Sequence, residues 1–165
     1  MSLTLEVPHE LAAQLKTRRH TVGVAESSTG GLVSAGLLAV PGASSYFLGS
    51  TVIYTLRARR DLLGVAQATL DRQQPLTEDY VTLCAETIRT RLGATWGLAE
   101  LGATGPAGTP YGHPPGICVL AVSGPVALTR RIETGAADRE ANMSTFTHAA
   151  FALLAEALAQ ADTKP

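Results

Sequence analysis

The sequence predicts an α/β fold: a three-layer α/β/α sandwich around a mixed, roughly five-stranded sheet. Three observations predict it. Early strand-like runs alternate with helical patterns, so they need crossover connections and should lie parallel. Two late runs, residues 117–123 and 126–133, meet across Gly124-Pro125 as a hairpin, which makes the sheet mixed. Hydrophobic residues are 45% of the 165 and charged residues only 16%, enough apolar material to cover both faces of a sheet.

The first element is a helix over residues 8–19, with Pro8 at its first position and Leu11 and Leu15 four apart on one face. A short Val-bearing strand over residues 21–26 feeds a helix over residues 30–40 through Glu-Ser-Ser-Thr-Gly-Gly, and Pro41-Gly42 stops that helix. Residues 48–55 (LGSTVIYT) are rich in β-branched and aromatic side chains and read as the second strand. A short helix over residues 57–63 closes at Gly64. Thr77 caps a longer one over residues 78–92, where Val81, Cys84, Ile88 and Leu92 share a face and Gly93 follows the end. Residues 95–101 form the third strand. The last helix runs over residues 138–159, with Met143, Phe146, Ala150, Leu154 and Leu158 as its buried stripe. One domain over residues 1–165 is expected, fraying at residues 1–7 and 160–165.

Composition excludes several classes. Few charges and many hydrophobic residues argue against disorder, a coiled coil or a nucleic-acid-coating protein. Net charge is −1, and the Arg residues are dispersed apart from pairs such as Arg18/Arg19 and Arg130/Arg131, so no nucleic-acid or membrane partner is expected. No apolar run approaches the roughly 18 residues a bilayer requires, and MSLTLEVPHE is not a signal peptide; a cytoplasmic location is expected. Cys84 and Cys118 stand in a helix and a strand without metal-ligand spacing. They read as buried thiols, with no disulfide, no metal and no cofactor expected.

Three segments could carry chemistry. At Glu26 to Gly31 a strand end meets a helix start, offering free backbone N–H groups and a dipole end for a phosphate or an oxyanion, and hydroxyls that could act as nucleophiles. The plainer alternative is that a hydroxyl caps the helix and the glycines serve packing. Residues 102–116 (GATGPAGTPYGHPPG) are long and irregular, as functional loops in compact domains usually are, and should wall a ligand pocket; the plainer alternative is an elaborate connection between strands, and His113 reads as a solvated loop residue sooner than as a base or ligand. Tyr54, followed by Arg57, Arg59 and Arg60, could meet a substrate phosphate, or be an ordinary solvated face beside Asp61. Trp96 reads as core.

In this order, these segments resemble the C-terminal domain of the competence-damage-inducible protein CinA, a family that includes nicotinamide-mononucleotide amidases. The family shows A-E-S-C-T-G-G, P-G-S-S-x-x-F, V-x-Y-S-N-x-x-K with L-L-G-V, and T-G-x-A-G-P before a glycine-rich loop ending P-V-G. Here the corresponding stretches are Ala25 to Gly31, Pro41 to Phe47, Val52 to Arg59 with Leu62-Leu63-Gly64-Val65, and Leu101 to Pro106 ending Pro114-Pro115-Gly116. The resemblance implies metal-free hydrolysis of the carboxamide of nicotinamide mononucleotide, with Ser27 as nucleophile and Arg59 at the place of a lysine that would activate it. Tyr54 would complete the catalytic set. Glu26, Thr29, Gly30, Gly31, Ser44, Gly102, Thr104, Gly105 and Pro106 would line the substrate site. A small nucleotide ligand and a homo-oligomer are the expected partners. Larger members carry a preceding domain resembling molybdopterin-binding proteins, which 165 residues do not accommodate.

Departures from the pattern keep two function classes open. The family cysteine is Ser28, the Ser-Asn after the tyrosine is Thr55-Leu56, the lysine is Arg59, and Leu101 and Thr104 replace small residues. Asn142-Met143 stand where the last helix often carries a basic residue. A guanidinium cannot give up its proton near neutral pH. The chain is therefore either an amidase whose base has moved, to Glu26 or to water, or a binding or assembly protein that kept the fold and part of the pocket.

Overall fold

The computed structural model describes residues 3–163; the expected fraying at residues 1, 2, 164 and 165 lies outside the described residues. Five strands, β1 (Val22–Glu26), β2 (Phe47–Val52), β3 (Trp96–Ala103), β4 (Ile117–Ser123) and β5 (Leu128–Glu133), form one sheet in the order β2-β1-β3-β4-β5. β1 pairs parallel with β2 and β3, and β4 is antiparallel to both β3 and β5. The helices are α1 (His9–Arg18), α2 (Leu32–Leu38), α3 (Leu56–Asp61), α4 (Gln67–Leu70), α5 (Glu78–Leu92) and α6 (Arg139–Asp162). The expected mixed α/β/α arrangement is present.

Strand alternation divides the core into two layers. Val22, Val24, Trp96, Leu98, Cys118 and Leu120 pack against α1, α2 and α6. Ala25, Ala99, Leu101, Ile117, Val119 and Ala121 pack against α5 and the segments before it. Both cysteines are free and fully buried. Burial pushes the Cys84 thiol up to about 12 and raises Cys118 as well.

Boundaries differ from the sequence reading for local reasons. β2 ends at Val52, because the Thr55 hydroxyl caps α3 by accepting the Ala58 N–H at 3.1 Å. β3 runs on through Ala103, since Gly102 and Ala103 still pair with Cys118 and Ile117. Residues 160–162 continue α6 instead of fraying: Asp162 is tied to α1 by the Arg18 guanidinium, whose Nε donates at 3.1 Å. The four-residue α4 is too short to show a helical period.

Two glycines set how closely α5 approaches the sheet. Gly23 and Gly97 are register partners on β1 and β3. A Cβ on Gly97 would lie 2.0 Å from the Ala85 carbonyl oxygen, and one on Gly23 would lie 2.8 Å from the Leu92 side chain. A side chain can rotate away, whereas a helix backbone can only be displaced. We expect Gly97→Ala to cost about 3 kcal/mol or more and Gly23→Ala about 1–2 kcal/mol. Urea midpoints at unchanged m-value check the order.

Candidate functional site

A cavity of about 700 Å³ opens at the C-terminal ends of the three parallel strands. Ser27 follows β1, Tyr54 follows β2, and Leu101 and Gly102 lie near the end of β3; all four line it. The chain leaves β1 through α2 to β2 on one side and later places β3 on the other. α2 and α5 cover opposite faces, so the crevice between β1 and β3 is a topological switch point, where open α/β sheets bind ligands.

The turn after β1 continues the alternation of the strand. Ala25 belongs to the α5 layer, and Ser27 lines the cavity; Glu26 and Ser28 turn the other way, into the protein. Glu26 is fully buried. Its Oε1 accepts the Ser34 N–H at 2.8 Å and the Ser34 hydroxyl; its Oε2 accepts the Thr29 hydroxyl at 2.7 Å and the N–H groups of Gly31 and Val33 at 3.0 and 3.1 Å. Glu100, from β3, fills the turn from beneath. Its Oε1 accepts the N–H groups of Ser27 at 2.5 Å and Thr29 at 2.9 Å, and its Oε2 accepts the Ser28 hydroxyl at 2.6 Å. Burial leaves the Glu100 pKa raised, an effect that the bonds from Ser28, Thr29 and Ser27 offset only in part.

This filling corrects the expectation that the α2 start offers free N–H groups. The protein's own carboxyl groups already occupy those of Ser27, Thr29 and Gly31, the favourable place for a negative charge at a helix N-terminus, and in this turn the Ser28 N–H is left without a hydrogen bond among the described residues. Glu26 and Thr29 brace α2 from within, and neither lines the cavity. With its oxygens consumed and no exposure, Glu26 cannot serve as the relocated base. Gly30 and Gly31 carry the positive φ values of 63° and 105° that turn the chain into α2. At Gly102 the constraint is space instead of φ. A Cβ there would be 2.4 Å from the Ser28 Oγ and 2.9 Å from the Phe146 ring, so only glycine lets the turn settle on β3.

The cavity's other wall is aromatic and cationic. Arg59 donates from Nε to the Ile53 carbonyl at 3.1 Å and from Nη1 to the Tyr80 hydroxyl at 2.8 Å, with its guanidinium carbon 4.9 Å from the Tyr80 ring centroid. Burial raises the Tyr80 phenol, and the Arg59 cation partly offsets this. Thr109, Pro110 and Tyr111 bring the loop of residues 102–116 to the cavity. His113 is not simply solvated: its N–H and its Nδ1 lie 3.1 and 3.2 Å from the Thr109 hydroxyl, bracing the loop.

Thr104, Gly105 and Pro106 are not among the residues that line the cavity, and Pro106 is exposed. The Thr104 carbonyl accepts from Asn142 Nδ2 at 2.9 Å, and the Gly105 carbonyl from Arg139 Nη1 at 2.6 Å. Ser44 is not brought to the cavity within the chain. It lies exposed in the 3₁₀ turn Ala43–Ser45, which precedes β2 and sits at the other end of the sheet from Ser27. Sequence reasoning missed Glu100 and Arg139, whose Nη2 is 3.5 Å from the Tyr54 hydroxyl. An acidic residue amid an apolar strand pattern was the available signal for Glu100. Among the described residues, no group of three or more His, Cys, Asp or Glu is placed to hold a metal ion, and no helix is long and apolar enough to cross a membrane.

Residues 4–158 match the family described as the CinA C-terminal domain. A CinA-like protein of Synechococcus sp. (strain RCC307) is 41% identical over 112 residues, 68% of this chain and 27% of that protein. A CinA-like protein of Desulforapulum autotrophicum is 34% identical over 92% of this chain and 36% of its own length. The chain thus spans about a third or less of these curated relatives. Among solved structures, the competence damage-inducible protein A of Klebsiella pneumoniae superposes with a TM-score of 0.84 at 30% identity, covering 93% of this chain and 98% of that one. The competence/damage inducible protein CihA of Agrobacterium tumefaciens gives 0.84 at 28% identity, covering 97% and 100%.

The two serines of the turn should separate in stability. Ser28→Ala removes the hydroxyl partner of a buried carboxyl group and should cost about 1–3 kcal/mol. Ser27→Ala breaks no hydrogen bond among the described residues and should stay within about 0.5 kcal/mol of wild type. Chemical denaturation of both variants at neutral pH checks this; equal losses would contradict the assigned side-chain directions.

Proposed function

Because the chain belongs to the CinA C-terminal domain family, we propose that it hydrolyses the carboxamide of nicotinamide mononucleotide to nicotinate mononucleotide and ammonia, with Ser27 as nucleophile. The observation that carries this reading is the fate of three adjacent hydroxyls. Ser28 and Thr29 are bonded to buried carboxyl groups, whereas the Ser27 hydroxyl makes no hydrogen bond among the described residues and its residue lines the cavity. A nucleophile must be both fixed in its backbone and free at its oxygen. Ser27 is so placed, because Glu100 holds its N–H.

In this reading Ser27 Oγ attacks the carboxamide carbon, the C–N bond breaks, and nitrogen leaves as ammonia with the serine proton. Water then hydrolyses the acyl ester and restores the hydroxyl. The Ser28 N–H makes no hydrogen bond among the described residues, unlike those of Ser27, Thr29 and Gly30, and we assign it to the developing oxyanion. Arg59 is the anion clamp. Two of its nitrogens are committed to Ile53 and Tyr80, which leaves Nη2 to meet a substrate phosphate. Tyr54 shapes the mouth beside Arg139. Glu26, Thr29, Gly30 and Gly31 shape the turn that carries Ser27, and Thr104 and Gly105 are held to α6 by Asn142 and Arg139. A cytoplasmic homo-oligomer, in which edge strand β2 carries exposed Leu48 and Val52, belongs to the same proposal.

One observation favours a second reading, a ligand-binding protein without turnover. Arg59 stands where the resemblance puts a lysine, and no side chain among the described residues bonds Ser27 Oγ as a base would. Ammonia release with nicotinamide mononucleotide, alongside a thermal-shift titration, decides. Turnover selects the amidase, and stabilisation without turnover selects the binder.

If the amidase reading holds, Ser27→Ala abolishes ammonia release and Ser28→Ala lowers it less. Equal residual rates would show that the wrong hydroxyl has been chosen. Arg59→Lys should raise the rate by a small part of the roughly 10²- to 10⁴-fold that general-base assistance supplies, because an ammonium can shed its proton in a partly dry pocket. Leu56, beside the same cavity, limits that recovery. A slower Arg59→Lys enzyme would mean that the guanidinium fork itself is required.

A further inference from the structure

The cluster of Glu26, Thr29 and Glu100 lies behind Ser27, on the face of β1 away from the cavity, and the reaction above gives it no proton to carry. Both carboxyl groups are buried, at 0% and 1% exposure. Among the described residues no Arg, Lys or His is paired with either. Thr29 joins them: its Oγ1 is 2.7 Å from Glu26 Oε2 and 2.9 Å from Glu100 Oε1. A threonine hydroxyl has one proton to give. Two ionised carboxylates facing one such donor, with no buried cation beside them, would leave an oxygen–oxygen contact unpaired and repulsive.

We propose that the pair shares one proton, that this proton resides on Glu100, and that the neutral Glu100 is the positioning residue holding the Ser27–Thr29 turn at the cavity wall. Of the pair's four oxygens only Glu100 Oε2 accepts no backbone N–H: it meets the Ser28 hydroxyl and the Cys118 thiol, groups that can turn to accept, which makes Glu100 the partner that carries hydrogen. The proton sits on Oε2 and donates to Ser28, whose hydroxyl turns from donor to acceptor, and Oε1 becomes an uncharged carbonyl oxygen beside Thr29. Other groups facing Glu100 do not compensate a second charge. Cys118 Sγ, on β4, is 3.8 Å from Oε2; across the sheet Glu100 helps to raise the Cys84 thiol of α5, which brings no positive charge; α6 brings the Phe146 ring and Met143 to the turn. Burial favours the neutral form of Glu100 as well.

The sign follows from linkage. A carboxyl group with a raised folded pKa keeps a proton that the unfolded chain has released. Its contribution is complete below the usual carboxylate range and is lost as pH rises through the folded value. Glu100→Gln preserves shape and hydrogen without titrating. The folding constant of wild type divided by that of Glu100→Gln should therefore fall by up to about tenfold per pH unit above the usual carboxylate range. In the wild type labelled at glutamate Cδ, one carbon should keep a protonated carboxyl shift at neutral pH, and the Ser27 and Thr29 amide resonances should move at its midpoint. These readouts need neither turnover nor a variant that folds.

The catalytic consequence rests on the Ser27 reading. Ammonia release should lose kcat, with KM little changed, at that same midpoint, and Glu100→Gln should recover most of what Glu100→Ala loses. A protonated carbon and moving amides in a chain that releases no ammonia would remove the Ser27 reading and leave the shared proton standing. Every glutamate carbon ionised at neutral pH, or a stability ratio that does not fall with pH, would overturn the proposal. So would Ser27 and Thr29 amides that ignore the titration.

Discussion

The carboxylate of Glu26, buried where β1 passes into α2, ties the first parallel strand to its crossover helix. A helix start leaves backbone N–H groups without partners, and a buried carboxylate is costly without donors; here each need meets the other. Glu100 does the same for the turn between them. With both in place the turn has few alternatives, and Ser27 is left as the hydroxyl facing outward. The consequence for ligands is directional. A negative group cannot take the N–H groups of Thr29, Gly31 and Val33, because the protein has put its own carboxyl groups there. The cavity lies instead on the α5 side, over the ends of the parallel strands.

Close approach between layers depends on missing side chains. Gly23 and Gly97 let α5 lie near the sheet, and Gly102 lets the Ser28 hydroxyl reach past β3 to Glu100. Packing and site geometry are therefore coupled. Placing α5 fixes Tyr80, Tyr80 holds Arg59, and Arg59 faces the cavity that Ser27 lines. Replacement of a motif lysine by arginine thus does more than change acidity. The longer planar fork finds a carbonyl and a phenol to hold it, which suits an anion clamp better than a proton shuttle.

Much of this was legible in order along the chain. The helix cap at Thr77, the Gly93 stop and the parallel-then-antiparallel strand sequence all follow from local pattern, and the structure contains them. The ordered motifs also carried the family. Less legible were the places where one segment's role depends on another far away. Ser27, Ser28 and Thr29 are chemically alike in sequence, and Ser44 stands in a motif that suggests the same site, yet folding sends it to the other end of β2.

By itself the sequence determined the elements, their order, the family and the short list of segments able to carry chemistry, because periodicity, capping and turn formation act over a few residues. Tertiary structure decided which hydroxyl faces the cavity, that the α2 start is already occupied, and that Arg139 stands beside Tyr54. These outcomes rest on partners 72 or 85 residues apart in the chain, such as Ser28 with Glu100 and Tyr54 with Arg139. A local pattern carries no record of such a partner. Only the stacking of β3 beside β1, and of α6 across them, brings the two ends of each bond together.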